Sequence, residues 1–436
     1  MLYAIFKPIV GIALHWYYRS LSVANLERIP RDGPVFLAAN HPNSLTDAMV
    51  VGWSSPRRVR FTAKATLFAN PIAARFLRAV GVVPLRRAAD EQKAERASAD
   101  HVPPDAARNA ASFSAVADAL AEDACIVVFP EGKTHDEPYM APIRTGLARM
   151  ALMARDDRHV RGIRIVPVGL LFERKAEPRT RILLQVGEPI DVDTLAAGPS
   201  AVATLTELIE LRLRAVTLNF ESRADAERIQ LLSETLAALV EPSSSVHEGA
   251  PPLARTLSLV RRIERAQQNI RARNDPATIA RIDVHDVTVD LGLTLGAQFV
   301  VREALVAAVM LPVSAWGRLT HVIPLRITRA LALRNVRALD EPPMRTFIVG
   351  LVLVLTSYIV LTTLVALTLG PWWALGFLAT LVPSASSDLR YGDRLRRVLA
   401  RARAFRRFRR EPALRLALLA DADWLRVEAG ALEQTA

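Results

Sequence analysis

A histidine and an aspartate six positions apart are the best candidates for chemistry in this sequence. His41 follows an apolar run that predicts a β-strand at 34–39, and Asp47 stands three residues after Ser44, the spacing of a capping box that begins a helix. On a continuous helix the two side chains would diverge by about 240°, whereas the predicted turn brings Asp47 back toward His41. A histidine oriented by a carboxylate can act as a general base. The alternative is that Asp47 only caps the helix.

A second polar loop, at 129–138, follows another predicted strand at 125–129. Its Gly132-Lys133-Thr134 run is similar to the end of a phosphate-binding P-loop, but Val127 stands where the first glycine of that motif is required. Because the carboxyl ends of strands in one sheet share an edge that ligands favour, we expect this loop to lie beside His41.

The sequence offers little for a metal site. Glu131 and His135 could be ligands, but no third ligand has suitable spacing. The single Cys125 excludes a disulfide framework and a thiolate-rich metal site, and it stands in an apolar strand where a core role is expected. We therefore predict neither a metal nor a nucleophilic cysteine.

The elements around these residues predict an α/β layer architecture. Between about 30 and 190, short β-rich runs alternate with helical patterns. The predicted strands are 34–39, 59–63, 82–87, 125–129, 164–171 and 180–186. The predicted helices are 44–53, 70–79, 105–122, 142–155, 199–220 and 223–240.

A long apolar segment follows farther along the chain. Thr346 to Ser387 is 42 residues without a charged side chain or a histidine. At 1.5 Å per helical residue it is about 63 Å long, roughly twice the thickness of a bilayer core. Gly370-Pro371 breaks it near the middle, which predicts a transmembrane hairpin of 346–369 and 371–387. Basic residues flank both ends, so both ends are expected on the cytoplasmic side.

The net charge of +12 is concentrated after this hairpin. Residues 386–410 contain ten arginines against two aspartates, with apolar residues at helical spacing between them. This pattern predicts a helix lying on an anionic phospholipid membrane. A solvated charge run is the simpler alternative. Nucleic acid is not an expected partner, because no zinc-finger, RRM or KH pattern accompanies the cluster.

Two further apolar stretches have alternative interpretations. Residues 2–18 predict an uncleaved membrane-associated helix; a secretory signal is the rival, since Ser22-Val23-Ala24 loosely resembles a cleavage site, but a basic n-region is missing. Residues 304–317 are too short to span a bilayer and contain Pro312, so they either enter the interface or belong to a core.

These patterns predict six regions in chain order. They are an N-terminal membrane-associated helix (1–24), a catalytic domain with C-terminal helices (25–240), a linker (241–252), a helical and partly interfacial region with an amphipathic helix at 253–273 (253–345), the transmembrane hairpin (346–387) and a basic amphipathic cytoplasmic tail (388–436).

Four segments in order resemble the motifs of the phospholipid/glycerol acyltransferases, over about residues 25–190. They are Asn40-His41 with Asp47, Gly81–Arg87, Phe129–Gly132 and Ile165–Gly169. One departure is that Lys133-Thr134 replace the common Thr-Arg, which leaves open which cation follows the glycine.

Further details resemble one branch, the glycerol-3-phosphate/dihydroxyacetone-phosphate acyltransferases of the yeast type and their bacterial relatives. These details are Ala63-Lys64, Leu67-Phe68, Asn70-Pro71, Glu137-Pro138 and the C-terminal hairpin. A lysophosphatidate acyltransferase is the alternative within the family. Outside it, a non-catalytic membrane protein and a thioester hydrolase are the competing hypotheses.

The resemblance implies a glycerolipid acyltransferase-like mixed sheet flanked by helices, and direct acyl transfer from acyl-CoA or acyl-carrier protein to a phosphorylated glycerol, without a cofactor. His41 would accept the hydroxyl proton, since an imidazole titrates near neutrality, and Asp47 would hold its tautomer. The catalytic domain would face the cytoplasm.

The resemblance also implies substrate-binding residues. Arg87 matches the family's phosphate-binding arginine, whereas Arg86 occupies a position often held by an acid, and only one of these two strand neighbours should reach the site. Weaker candidates, for which a surface charge is the alternative, are Lys64, Lys133 and Arg144.

Glu131 and Gly132 also belong to the implied substrate-binding set. Glu131 would position the substrate or the arginine, with a structural salt bridge as the alternative. Pro167, Val168 and Gly169 would line an acyl groove, although any buried strand has this composition.

Overall fold

The computed structural model describes residues 2–85, 106–220, 222–223, 226, 296–336, 338 and 340–410. The chain divides into two compact units. The first comprises Met1–Asn219 with Arg337–Met344, and the second comprises Phe220–Val336 with Arg345–Ala436.

The first unit contains an eight-stranded mixed sheet, counted over the described residues. Its strands are β1 (Ser20–Ala24), β2 (Val35–Ala39), β3 (Val59–Lys64), β4 (Val83–Leu85), β5 (Cys125–Val128), β6 (Arg164–Phe172), β7 (Arg181–Val186) and β8 (Ile190–Asp191). The strand order is β1-β7-β6-β2-β5-β3-β4, with β8 paired to β6. Strands β6, β2, β5, β3 and β4 are mutually parallel, while β7 and β8 run antiparallel to β6.

Helices cover both faces of the sheet, which is why the central strands are apolar throughout. Every residue of β2 and β5 is buried. The helices are α1 (Leu2–Tyr17), α2 (Leu45–Ser54), α3 (Pro71–Ala79), α4 (Ala106–Ala121), α5 (Gly146–Asp156) and α6 (Ala201–Arg214). Helices α4, α5 and α6 pack on the face that carries Phe36, Ile126 and Ile165. Helix α2 lies over the opposite face, where a Cβ at Gly52 would lie 2.9 Å from the Phe61 ring.

The predicted fold class is confirmed, with corrections at the edges. The predicted strands are present, but β1 and β8 were not predicted. Strand β1 pairs in parallel with β7 over Ser20 to Ala24, so the N-terminal helical segment ends at Tyr17 rather than at 24. The residues read as a loose cleavage signal, 22–24, therefore lie inside the sheet. The predicted strand 82–87 is observed as Val83–Leu85, and the predicted helix 142–155 begins at Gly146.

Several predicted segments lie outside the described residues. They are nearly all of the helix at 223–240, the linker at 241–252, the amphipathic helix at 253–273 and the end of the basic tail beyond 410.

The described part of the second unit consists mainly of long helices. They are α7 (Gly296–Ala332), α8 (Glu341–Leu369, whose first residues belong to the first unit) and α9 (Pro371–Arg410). Over the described part of the chain, two stretches are long and apolar enough to cross a membrane, by length and composition: Leu305–Ala332 and Glu341–Leu369.

These helices change two details of the predicted membrane region. The second predicted hairpin helix, 371–387, is part of a 40-residue helix that continues through the arginines to Arg410. It is not one of the two stretches with the length and composition to cross a membrane. The stretch at 304–317 belongs to the much longer helix α7 despite Pro312, because its apolar pattern continues to Ala332.

Helices α7 and α9 approach each other closely within the second unit. A Cβ at Gly317 would lie 2.1 Å from the carbonyl oxygen of Ser384, so only glycine fits there. Arg318 and Asp388 form an ion pair of 2.9 Å one residue farther along α7. Small residues at a helix contact, with polar groups bonded across it, are typical of helices that associate in a membrane.

Candidate active site

The turn between β2 and α2 brings His41 and Asp47 into contact. The His41 Nδ1 atom lies 2.9 Å from Asp47 Oδ2, and the same oxygen accepts a 2.7 Å hydrogen bond from the backbone N–H of Asn43. Helix α2 begins at Leu45, as predicted, but the capping box does not form. Ser44 has a φ of +49° and no side-chain cap bond, so the aspartate is free to bind the imidazole.

Asp47 is completely buried. Burial raises the pKa of its carboxyl, and the contacts with His41 and with the Asn43 backbone N–H offset part of that increase. A carboxylate held in this way fixes the ring orientation and the tautomer of the histidine, which is the role of the aspartate in a catalytic triad.

The His41 ring is held on its face as well as at Nδ1. It stacks on Phe129, with ring centroids 4.0 Å apart and planes 15° from parallel. The His41 side chain keeps 16% of its surface exposed, and in the described ranges no group bonds its Nε2. The ring therefore presents Nε2 as the nitrogen that could take a proton from a substrate.

Glu131 links the two predicted loops. Its Oε1 accepts a 2.7 Å hydrogen bond from the backbone N–H of His41, and its Oε2 accepts one of 2.8 Å from the backbone N–H of Ala141. His135 Nε2 lies 2.5 Å from Oε2, and Glu131 is only 2% exposed. Both carboxylate oxygens are thus engaged by the protein itself, which gives Glu131 a clear role in organising the site.

Lys175, from the segment after β6, was missed by sequence reasoning. Its Nζ lies 3.0 Å from the carbonyl oxygen of Pro42 and 2.9 Å from that of His135, and it pairs with the Asp136 carboxylate at 2.5 Å. The lysine therefore joins the loop after β2 to the loop after β5. No local spacing pattern marks Lys175, because all its partners are distant in sequence.

Asn40, the first residue of the Asn-His pair, binds the backbone of strand β6. Its Oδ1 accepts a 2.7 Å hydrogen bond from the backbone N–H of Leu170, and its Nδ2 donates a 3.0 Å bond to the Leu170 carbonyl. The side chain extends the β2–β6 pairing by one residue and so fixes where His41 leaves the sheet.

The predicted substrate-binding residues are only partly described. Gly132 has a φ of +74°, and a Cβ on it would lie 2.9 Å from Arg144 Nε, so Arg144 packs over this glycine. Lys133 is exposed. Lys64 ends β3 at the same sheet edge, although its side chain is not among the described ones. Arg86 and Arg87 lie outside the described residues.

The three predicted acyl-groove residues lie in the core. Pro167, Val168 and Gly169 are buried in β6. A Cβ at Gly169 would lie 1.9 Å from the carbonyl oxygen of Val216, so the chain after α6 covers this part of the strand. The burial of all three residues is what the core alternative expects, and the acyl-groove assignment stays a prediction.

Cys125 is a core residue, as expected. It is 1% exposed, and burial raises the pKa of its thiol to about 12. Among the described residues no group of three or more histidine, cysteine, aspartate or glutamate side chains could hold a metal ion.

Residues 20–171 match the family model described as Acyltransferase. This matched range includes the His41–Asp47 pair, which follows the carboxyl end of β2.

The curated relatives match this chain either over short segments or, over a longer segment, at lower identity. Glycerol-3-phosphate O-acyltransferases 2 and 1 of Saccharomyces cerevisiae are 40% identical over 85 residues and 36% identical over 73 residues, covering 20% and 17% of this chain. An uncharacterised acyltransferase of Schizosaccharomyces pombe is 22% identical over 259 residues, 43% of this chain. The chain spans 11%, 10% and 38% of the lengths of these three relatives, respectively.

A solved structure was also found, the 1-acyl-sn-glycerophosphate (LPA) acyltransferase PlsC from Thermotoga maritima. It aligns with a TM-score of 0.36 and 19% identity, covering 49% of this chain and 78% of that chain.

Proposed function

We propose that this chain is a membrane-bound O-acyltransferase of phospholipid biosynthesis. It moves a fatty acyl group from acyl-CoA or acyl-carrier protein to a hydroxyl of glycerol-3-phosphate or dihydroxyacetone phosphate. The observation that carries the proposal is the 2.9 Å contact between His41 Nδ1 and the buried Asp47 carboxylate, in a domain that belongs to the acyltransferase family. The two yeast relatives named for glycerol-3-phosphate support this choice of acceptor.

The mechanism follows from the free nitrogen of the imidazole. With Nδ1 bonded to Asp47, the His41 Nε2 atom takes the proton of the acceptor hydroxyl as its oxygen attacks the thioester carbonyl carbon. The new C–O bond forms, the C–S bond breaks, and the thiolate leaves with the proton returned by the imidazolium. The carboxylate of Asp47 stabilises that cation. No protein nucleophile is needed, in agreement with the buried thiol of Cys125.

Binding of the acceptor phosphate is assigned to Arg87, with Arg144 above Gly132 as a second cation. Arginine suits this task because its planar guanidinium binds phosphate oxygens in a bidentate manner. Glu131 holds the His41 backbone and the loop after β5 in register, so it positions the catalytic histidine rather than the substrate.

Membrane attachment is assigned to the second unit. Leu305–Ala332 and Glu341–Leu369 have the length and composition of membrane-spanning helices. The arginines of 390–410 follow the apolar segment, and such clusters stay on the cytoplasmic side of a membrane. We therefore place the catalytic domain at the cytoplasmic face, next to its acyl donor.

One assay separates this function from its competitors. Membranes carrying the full chain receive radiolabelled acyl donor with glycerol-3-phosphate, dihydroxyacetone phosphate or lysophosphatidate. We expect acylation of one of the first two acceptors. Transfer to lysophosphatidate alone would favour that branch of the family, release of free fatty acid without acceptor would favour a hydrolase, and no turnover with any acceptor would favour a non-catalytic protein.

A further inference from the structure

A cavity of about 570 Å³ lies in the acyltransferase domain away from the His41 site. Its floor is formed by residues 81–83 and 124–125, the amino ends of β4 and β5. His41 follows the carboxyl end of β2, which is parallel to β5. The cavity and the proposed active site are therefore at opposite edges of one sheet.

Four arginines surround this cavity: Arg57, Arg58, Arg60 and Arg78. Among the described residues, the one acid in the lining is Asp123, and the neighbouring Glu122 pairs with Arg60 at 2.7 Å. The lining thus has an excess of positive charge in a concave space of the size that small ligands occupy.

Arg57 forms part of the cavity wall and is not available to bind a ligand. Its guanidinium donates to the carbonyl oxygens of Pro30 and Gly33, at 3.2 and 2.9 Å, and to that of Asp123. These bonds tie the chain before β2 and β5 to the chain before β3. With its donors used in this way, Arg57 is a fixed part of the wall.

Arg58 and Arg78 differ from Arg57 because both are exposed and neither pairs with a carboxylate in the described part of the chain. Each guanidinium is instead placed by an aromatic ring. Arg58 Cζ lies 5.7 Å from the Tyr3 ring centroid, and Arg78 Cζ lies 5.9 Å from that of Phe68. Such contacts orient an arginine while leaving its N–H donors available to an anion.

We propose that this cavity is a second anion site, which binds a phosphate group between Arg58 and Arg78 with Arg60 at its side. Phosphate is the matching chemistry, because guanidinium forks bind its oxygens in pairs and the flanking rings hold the forks in place. The phosphate could come from a soluble ester or from an anionic lipid headgroup, and the experiment below distinguishes these sources.

The test is a residue-resolved footprint on the detergent-solubilised full chain. Phenylglyoxal modifies exposed arginines, and mass spectrometry reads the rate at each position, with exposed Arg149 on α5 as the internal control. At a ligand concentration about tenfold above its dissociation constant, modification of Arg58 and Arg78 should slow about tenfold, while Arg149 is unchanged.

Two arms identify the source of the phosphate. The first uses inorganic phosphate, and the second compares nanodiscs of phosphatidylcholine with nanodiscs that also contain phosphatidylglycerol. Protection of Arg58 and Arg78 by inorganic phosphate supports the site with a soluble ligand, and protection only by phosphatidylglycerol supports it with a lipid headgroup. Absence of protection in both arms, or equal protection of Arg149, overturns the proposal.

Two double variants that remove the same charge test the site by a second measurement, which does not depend on chemical labelling. Arg58→Gln with Arg78→Gln removes the site, whereas Arg149→Gln with Arg212→Gln removes the same charge from exposed positions on α5 and α6. The ligand that protects Arg58 and Arg78 in the footprint, inorganic phosphate or phosphatidylglycerol, should raise the melting temperature of the control variant as it does that of the native chain, and should raise that of the site variant less. Equal increases in both variants would contradict the proposal. Both variants should keep acyl transfer, since neither touches the His41 edge.

Discussion

The Nζ atom of Lys175 lies 3.0 Å from the carbonyl oxygen of Pro42, the residue that follows the proposed catalytic histidine. The same nitrogen bonds the carbonyl of His135 in the loop after β5. One cation thus joins the two loops whose contact, through Glu131 and the His41 backbone, sets the position of the imidazole. The proposed active site is therefore held together by a residue that lies outside the four motif segments of this sequence.

Replacement of Lys175 should impair catalysis without unfolding the protein. In Lys175→Met the two loops lose their common partner, and a displacement of about 1 Å at the imidazole is enough to lower kcat by up to a hundredfold. The matched control is Arg174→Met, which removes a neighbouring cation whose ion pair with Glu177 is exposed. Steady-state kinetics of both variants check this, and equal rates for the two would contradict the positioning role of Lys175.

Replacement of Asp47 should remove the orientation of the imidazole. Asp47→Asn keeps the shape of the side chain, but its amide can favour the wrong tautomer of His41, so we expect transfer to fall about a hundredfold or more. Asp32→Asn, at an exposed position, is the control and should leave transfer unchanged. Full activity of the Asp47 variant would show that this contact is structural only.

The buried carboxyl of Asp47 should also leave a signature in stability. Burial raises its folded-state pKa above the ordinary value of 3.8, so the folded protein binds more protons than the unfolded one just above that pH. The contribution of Asp47 to the free energy of unfolding is thus greatest at low pH and is lost as pH rises through the raised pKa. Melting temperatures measured from pH 4 upward should rise in Asp47→Asn relative to the native chain. A constant difference across that range would contradict the raised pKa.

Gly132 offers a test of the loop that carries Arg144. Gly132→Ala forces a Cβ into a φ of +74° and against Arg144, whereas Gly33→Ala meets the same backbone strain at a φ of +77° with no atom within 4 Å. Both variants should lose about 1 kcal/mol of stability from the strain. Only Gly132→Ala should raise the KM for the phosphorylated acceptor, and a similar increase in Gly33→Ala would refute the role of Arg144.

A substitution of Glu131 can show whether this residue positions His41 or binds the acceptor. Glu131→Gln cannot accept from His135 and Ala141 as the carboxylate does, so the loop after β5 should loosen and kcat should fall about tenfold or more, with little change in KM. Kinetics at saturating donor over a range of glycerol-3-phosphate concentrations make the distinction. A variant with normal kcat and a raised KM would assign Glu131 to the acceptor instead.

Local patterns predicted the elements of the sheet and the His41–Asp47 contact, because buried strands are continuous apolar runs and the turn at Ser44 is short. Strand β1 was missed because SLSVA alternates polar and apolar residues directly after an apolar helix, and only pairing with β7 makes it a strand. Lys175 was missed because its partners lie about 40 and 130 residues away in sequence. The same reason applies to the packing of Gly317 on Ser384.

The central claim is that His41 is the general base of an acyl transfer, and a pair of identical substitutions tests it most directly. His41→Asn removes the base, and His159→Asn makes the same change at an exposed loop position whose φ of +57° asparagine tolerates. Transfer of radiolabelled acyl groups to glycerol-3-phosphate is measured in membranes with equal amounts of each variant. We expect a loss of at least about a hundredfold for His41→Asn and native activity for His159→Asn. Native activity in the His41 variant would contradict the account.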